Sequence, residues 1–100
     1  MNFIISDKDL LRLYTEERGP KHKGLPPQVI DRFFEAMMEI TVASDERDIP
    51  AIKSRRMERV PSECEGCYSL RLNDQYRLIF RFTVIDGQSG LEIVDVRHYH

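Results

Sequence analysis

The residues of this chain best suited to chemistry lie in its second half. Arg71, Arg77 and Arg81 each carry a guanidinium group, whose planar fork of donors matches the oxygens of a phosphate. The sequence closes with Arg97-His98-Tyr99-His100. Histidine titrates near neutral pH, and tyrosine can hold or pass a proton. These are the types that cleavage of RNA without a metal requires. A base takes the proton of the ribose 2′-OH, cations steady the phosphorane charge, and an acid protonates the leaving 5′-oxygen. Composition alone would leave Tyr99-His100 as an idle chain end. The sequence holds no glycine-rich phosphate loop, no Ser/His/Asp order and no carboxylate cluster fit for metal-assisted hydrolysis.

Cys64 and Cys67 form a single Cys-x-x-Cys. A zinc ribbon needs a second pair, which His98 and His100 would supply only if the last strand lay beside this loop. A redox motif of this kind opens a helix after a strand, whereas here Tyr68 opens a strand. Two free, reduced thiols and no bound metal are therefore expected.

One hundred residues suit a single domain, 1–100, with its own core. Apolar residues make up 41% and charged residues 32%, which fits a folded, soluble chain rather than a disordered one. No run approaches the length of a membrane span, and the start, Met1-Asn2-Phe3-Ile4-Ile5-Ser6-Asp7, lacks the basic region of a signal peptide. A cytoplasmic protein without membrane contact is expected. The net charge is −2, yet acids outnumber Lys and Arg ten to seven in residues 1–50 and trail them seven to eight in residues 51–100. Lys53, Arg55, Arg56 and Arg59 cluster in that second half, and such a local basic face steers a polyanion even when the total is neutral. A solvated surface of mixed charge reads equally well from charge alone.

These residues need elements to place them. Phe3-Ile4-Ile5 reads as a strand ending at Ser6, a good N-cap for a helix over residues 7–17. Gly19-Pro20 stops that helix and residues 21–24 form a basic turn. Pro26-Pro27 opens a second helix, since proline suits the first turn. Ile30, Phe33, Phe34, Met37, Met38 and Thr41 recur at helical spacing as its buried stripe, with an end near Ala43. A polar connection through Pro50 follows, and Ile52, Met57 and Val60 suggest an irregular strand. Tyr68, Leu70 and Leu72, then Tyr76, Leu78, Phe80, Phe82 and Val84, alternate with polar or mixed positions. Their apolar faces coincide only if Leu70 pairs with Leu78 and Tyr68 with Phe80, with a loop of Asn73-Asp74-Gln75 or a shorter loop and a bulge. Arg71 then faces Arg77 directly, a like-charge pair that needs acids, a phosphate or an acidic partner to relieve it. Residues 86–90 read as a turn. Residues 91–96 read as a last strand, apolar on both sides and so internal to the sheet.

The segment Tyr68-Ser69-Leu70-Arg71-Leu72-Asn73-Asp74-Gln75-Tyr76-Arg77-Leu78-Ile79-Phe80-Arg81-Phe82, followed by Val94-Asp95-Val96-Arg97-His98-Tyr99-His100, resembles the HigB branch of the RelE/ParE toxin superfamily. Members of that branch show a pattern like Ser-(Val/Ile)-Arg-(Val/Leu)-Asn-Asp-Gln-(Trp/Tyr)-Arg, an apolar strand, then Val-Asp-x-x-Asp-Tyr-His. The match covers residues 66–100. It implies an α+β, RelE-like fold with two N-terminal helices packed on a twisted, mainly antiparallel β-sheet. It implies a toxin that enters the ribosomal decoding site and cleaves mRNA without a cofactor. It also implies a helix-turn-helix, HigA-like antitoxin through which operator DNA is reached only indirectly. By position, Arg77 would contact the scissile phosphate, and Tyr99 and His100 would position the nucleotide and move protons. Arg55, Arg56, Arg59, Arg71, Arg81 and His98 are the further candidates for RNA or phosphate contact.

Two departures from the pattern stand out. His98 replaces the acid that precedes Tyr-His, and Met57-Glu58-Arg59-Val60-Pro61 replaces a stretch that carries a His and a Lys. Arg59 is the available stand-in for that lysine. The division of acid and base roles stays open. So does a ParE-like mode, in which the same scaffold docks on a protein such as DNA gyrase, and so does a member that only binds its antitoxin.

Overall fold

The computed structural model of the protein describes residues 1–16 and 24–99. The stop expected at Gly19-Pro20, the basic turn around Lys21-His22-Lys23 and the terminal His100 lie outside the described residues. Strand β1 (Asn2–Ile5) leads into helix α1 (Lys8–Thr15) and helix α2 (Pro27–Val42). A two-residue strand β2 (Glu58–Arg59) precedes β3 (Cys67–Arg71), β4 (Tyr76–Ile85) and β5 (Gln88–His98). The five strands form one sheet in the order β1-β5-β4-β3-β2. Only β1 with β5 is parallel; the other neighbours are antiparallel. The architecture is thus α+β, with two helices and a mostly antiparallel sheet. No helix among the described residues is long and apolar enough to cross a membrane.

Local chemistry explains the element ends. Ser6 was the expected cap of α1, but its N–H still belongs to the sheet ladder, donating to the Ile93 carbonyl at 3.0 Å. Asp7 is therefore the cap, and its carboxylate accepts from the Leu10 N–H at 3.0 Å. Helix α2 starts at Pro27 and is capped by Ala43. Its buried side chains are Val29, Phe33, Ala36, Met37 and Ile40, so the stripe is rotated from the expected one. Ile30 and Phe34 lie at its margin, and Met38 is 70% exposed rather than in the core. Small Ala36 sits at the buried centre of the stripe, and its flanks carry the larger groups.

One core joins Leu10 and Leu13 of α1, the α2 stripe, and Leu70, Leu78, Phe80, Leu91, Ile93 and Val96 of the sheet. Each such side chain, once fully buried, contributes roughly 2 kcal/mol. The β3–β4 register is the one that alternation demands: Tyr68 pairs with Phe80, Leu70 with Leu78, and Arg71 with Arg77. The hairpin loop is Asn73-Asp74-Gln75, stabilised by the Asn73 side-chain oxygen accepting from the N–H groups of Gln75 and Tyr76. The β4–β5 turn is shorter than residues 86–90. Asp86 and Gly87 both adopt positive φ (51° and 79°), as a two-residue turn between twisted strands requires, so β5 begins at Gln88.

A bulge in β5 decides what the far face carries. Ile79 pairs with Asp95, but Phe80 pairs with Ile93, so Val94 is the extra residue. Leu91 and Ile93 precede the bulge and Val96 follows it, and all three reach the core. The apolar character on both sides of this strand is thus partly a change of parity. The strand is indeed internal, between β1 and β4. The same change turns Asp95, Arg97 and Tyr99 to the sheet face opposite the helices.

Candidate active site on the sheet face

Register places Arg71, Arg77 and Arg97 in a row across β3, β4 and β5 on the face away from the helices. Directly opposed residues bring their Cβ atoms within about 5 Å, so three like charges here would repel unless partnered. Each has an acidic partner. Arg71 pairs with Asp74 of the hairpin loop. Arg97 pairs with Asp95 at 2.8 Å and more loosely with Glu63 at 3.8 Å. Arg77 meets Glu58 of β2 at 3.1 Å.

Arg77 is the most firmly oriented of the three. Its Nε donates to the buried Ser69 hydroxyl at 2.7 Å, and one terminal nitrogen donates to the Arg56 carbonyl at 2.6 Å. Arg56 closes a 3₁₀ turn (Lys53–Arg55) in the left-handed region, φ 45°, an uncommon conformation for a residue with a side chain. Two neutral acceptors thus fix the guanidinium plane, while its one carboxylate partner among the described residues, Glu58, is 60% exposed on a two-residue edge strand.

Tyr99 lies at the end of the row. Its N–H donates to the Gln75 carbonyl at 2.5 Å, tying the chain to the hairpin loop. Its hydroxyl donates to Glu63 at 2.9 Å. Burial pushes the phenol above its ordinary range, and the Glu63 carboxylate adds to this, while Arg97 and Arg77 pull the other way. The phenol therefore stays protonated at neutral pH and is a donor.

The other candidates divide. Arg81 is on the same face, further along β4, where it pairs with Glu92 at 2.6 Å and holds that carboxyl below the usual range. Arg56 contributes its carbonyl, and its exposed side chain has no ion-pair partner among the described residues. Arg59 faces Tyr68, so it sits on the opposite side of the sheet edge from Glu58 and Arg77. His98 likewise pairs with Tyr76, its ring 4.9 Å from the tyrosine ring, away from Tyr99.

Arg55 corrects the expectation. It is buried, with its guanidinium on Glu39 at 2.8 and 3.0 Å, on Glu35 at 3.4 Å and on the Arg71 carbonyl at 3.1 Å. The Glu39 hydrogen bonds raise its pKa further, so it is always charged, and it ties α2 to the end of β3 rather than facing solvent.

The cysteines are not free thiols. Cys64 and Cys67 are joined as a disulfide. The Cys67 N–H closes a turn on the Cys64 carbonyl at 3.1 Å, which brings the Cα atoms to 5.2 Å, within the span of such a bond. Cys67, not Tyr68, is the first residue of β3.

Arg97, Glu58 and Glu63 contact the candidate residues or stand in line with them, and were not among the sequence candidates. Arg97 was detectable from the shift of apolar parity between Ile93 and Val96. The Glu63–Tyr99 contact spans 36 positions and leaves no local signal.

The protein is thus a pair of helices and a mostly antiparallel sheet that carries a row of arginines across β3, β4 and β5. Residues 4–97 match the family model described as RelE-like toxin of type II toxin-antitoxin system HigB. The chain belongs to that family and is a type II toxin–antitoxin toxin. It is 28% identical over 99 residues to Toxin HigB-1 of Vibrio cholerae serotype O1 (strain ATCC 39315 / El Tor Inaba N16961), covering 99% of this chain and 100% of that one. In fold it is similar to the YoeB/ParE toxin from Agrobacterium tumefaciens, with a TM-score of 0.57 at 12% identity and full coverage of both chains. It is similar also to the toxin–antitoxin structure described as a heterotetrameric YoeB-YefM complex from Staphylococcus aureus, with a TM-score of 0.57 at 18% identity, covering 100% of this chain and 98% of that one.

Proposed function

We propose that this toxin is a ribosome-dependent mRNA endonuclease acting through the ribose 2′-OH. The observation that carries the reading is the Arg71–Arg77–Arg97 row beside the Tyr99 phenol. Arg77, already oriented by neutral acceptors, takes the scissile phosphate and stabilises its developing charge. Arg71 and Arg97 hold the flanking backbone. Tyr99 positions the nucleotide and donates a hydrogen bond, and the terminal His100 is the titrating partner for proton transfer. Exposed Lys53, Arg56 and Arg59 supply steering toward the polyanion. The whole chain acts as one cytoplasmic domain, held in check by a helix-turn-helix, HigA-like antitoxin that reaches operator DNA on its behalf.

Expression in a bacterium tests this. The wild type arrests growth, and mRNA ends map to cuts within codons on ribosomes. Arg77→Ala relieves the arrest. Full toxicity of that variant removes the site assignment.

A ParE-like mode is the second reading. It draws on the acidic partner that each arginine of the row already has, and on the net charge of −2. It requires arrest with intact mRNA and accumulating DNA damage.

A further inference from the structure

The disulfide lies beside the site and plays no part in the reaction as proposed. Residues 60–67 form two linked turns: the Glu63 N–H donates to the Val60 carbonyl at 3.0 Å and the Cys67 N–H to the Cys64 carbonyl at 3.1 Å. The Val60 N–H donates back to the Cys67 carbonyl at 2.9 Å, so both ends of the loop are pinned. Glu63 is adjacent to Cys64, and its carboxylate is only 18% exposed between the Tyr99 hydroxyl at 2.9 Å and Arg97 at 3.8 Å. The other end of Tyr99 is tied to Gln75. Tyr99 is therefore held at two points, its backbone at Gln75 and its phenol at Glu63, the residue just before the bridged turn.

We propose that Glu63 is a positioning residue for Tyr99, and that the Cys64–Cys67 bridge holds it in place, making the site sensitive to dithiols. The inference rests on the nuclease reading only where cleavage is the readout. Without the bridge, the loop gains conformations in which the carboxylate leaves the phenol, and displaced catalytic groups lose rate steeply. The chemistry is ordinary exchange. A thiolate of an external dithiol attacks Cys64 Sγ, the less buried of the two sulfurs, and the Cys64–Cys67 bond breaks with Cys67 leaving as thiolate. The reagent's second thiol then displaces Cys64. The protein ends with two thiols and the reagent as its own disulfide, two electrons having passed to the protein.

The experiment uses the full chain, oxidised in air, with dithiothreitol as the probe. Thiol titration under denaturing conditions should find no free thiol before reduction and two after; two before reduction overturns the proposal. In ribosome-programmed cleavage, Glu63→Ala and the reduced wild type should each be slower by about tenfold or more. Glu63→Gln, which keeps an acceptor, should recover most of the rate. Reductant should have little further effect on Glu63→Ala. Wild-type speed in Glu63→Ala, or an equal loss on reduction with and without Glu63, overturns the proposal.

A second readout is independent of cleavage. The ring resonance of Tyr99 in tyrosine-labelled protein, assigned by its loss in Tyr99→Phe, reports the phenol directly. Glu63 from the loop, Arg97 on β5 and Arg77 on β4 face it; burial raises the midpoint most, and the part that Glu63 adds should be lost in Glu63→Gln and on reduction. An unmoved midpoint overturns the link whatever the cleavage assay gives. A midpoint that moves in a protein that cuts no mRNA retains the link and removes the nuclease reading.

Discussion

Arg55 and Arg77 begin from the same chemistry and end in different situations. Arg55 is 8% exposed, and carboxylates of two α2 residues, Glu39 and Glu35, enclose it. Arg77 is 15% exposed but owes its orientation to a hydroxyl and a carbonyl, with one carboxylate at the solvent edge. The first arrangement neutralises the guanidinium and joins a helix to a strand. The second fixes a direction and leaves the charge open to exchange of partners. The two arginines thus differ less in exposure than in how replaceable the counter-ion is.

The comparison can be broken from either end. Arg55→Ala should have the largest effect, at about 3 kcal/mol in urea unfolding, because it strands Glu39 and the Arg71 carbonyl. Arg77→Ala should cost only about 1 kcal/mol in the same measurement while removing growth arrest, the reverse weighting. A loss in Arg77→Ala as large as that in Arg55→Ala would make both residues structural and dissolve the contrast.

The smallest effect is a pH dependence. Arg81 lowers the Glu92 pKa in the folded chain, so this pair stabilises the protein above the ordinary carboxylate range. The contribution fades as pH falls through the lowered value. Arg81 is 45% exposed, so the amount is on the order of half a kcal/mol. Glu92→Gln should flatten that part of an acid stability profile, and an unchanged slope would show the pair to be idle.

Much of the fold was legible because side-chain alternation is strict. The pairing of Leu70 with Leu78 forced Arg71 onto Arg77 with no knowledge of the third dimension. Helix α2 was legible in its limits but not in its rotation, since small Ala36 carries almost no hydrophobic weight and yet lies at the buried centre. Arg55 could not be told from Arg56 or Arg59 in sequence, because what separates them is the approach of Glu39 from a distant helix. The bridge was misjudged for a related reason: pairing depends on how tightly residues 64–67 turn. His98 and Tyr99 are neighbours in sequence, and only the bulge determines which of them joins Arg77.

The strand order carries a consequence for how the molecule comes into being. Strand β5 follows the other four strands in chain order, yet it lies inside the sheet, paired to β1 on one side and to β4 on the other. Chains acquire structure from the N-terminus as they are synthesised. Here β1 has no partner, and the core lacks Leu91, Ile93 and Val96, until β5 has been made. A growing chain therefore lacks the Arg71–Arg77–Arg97 row until β5 pairs with β4.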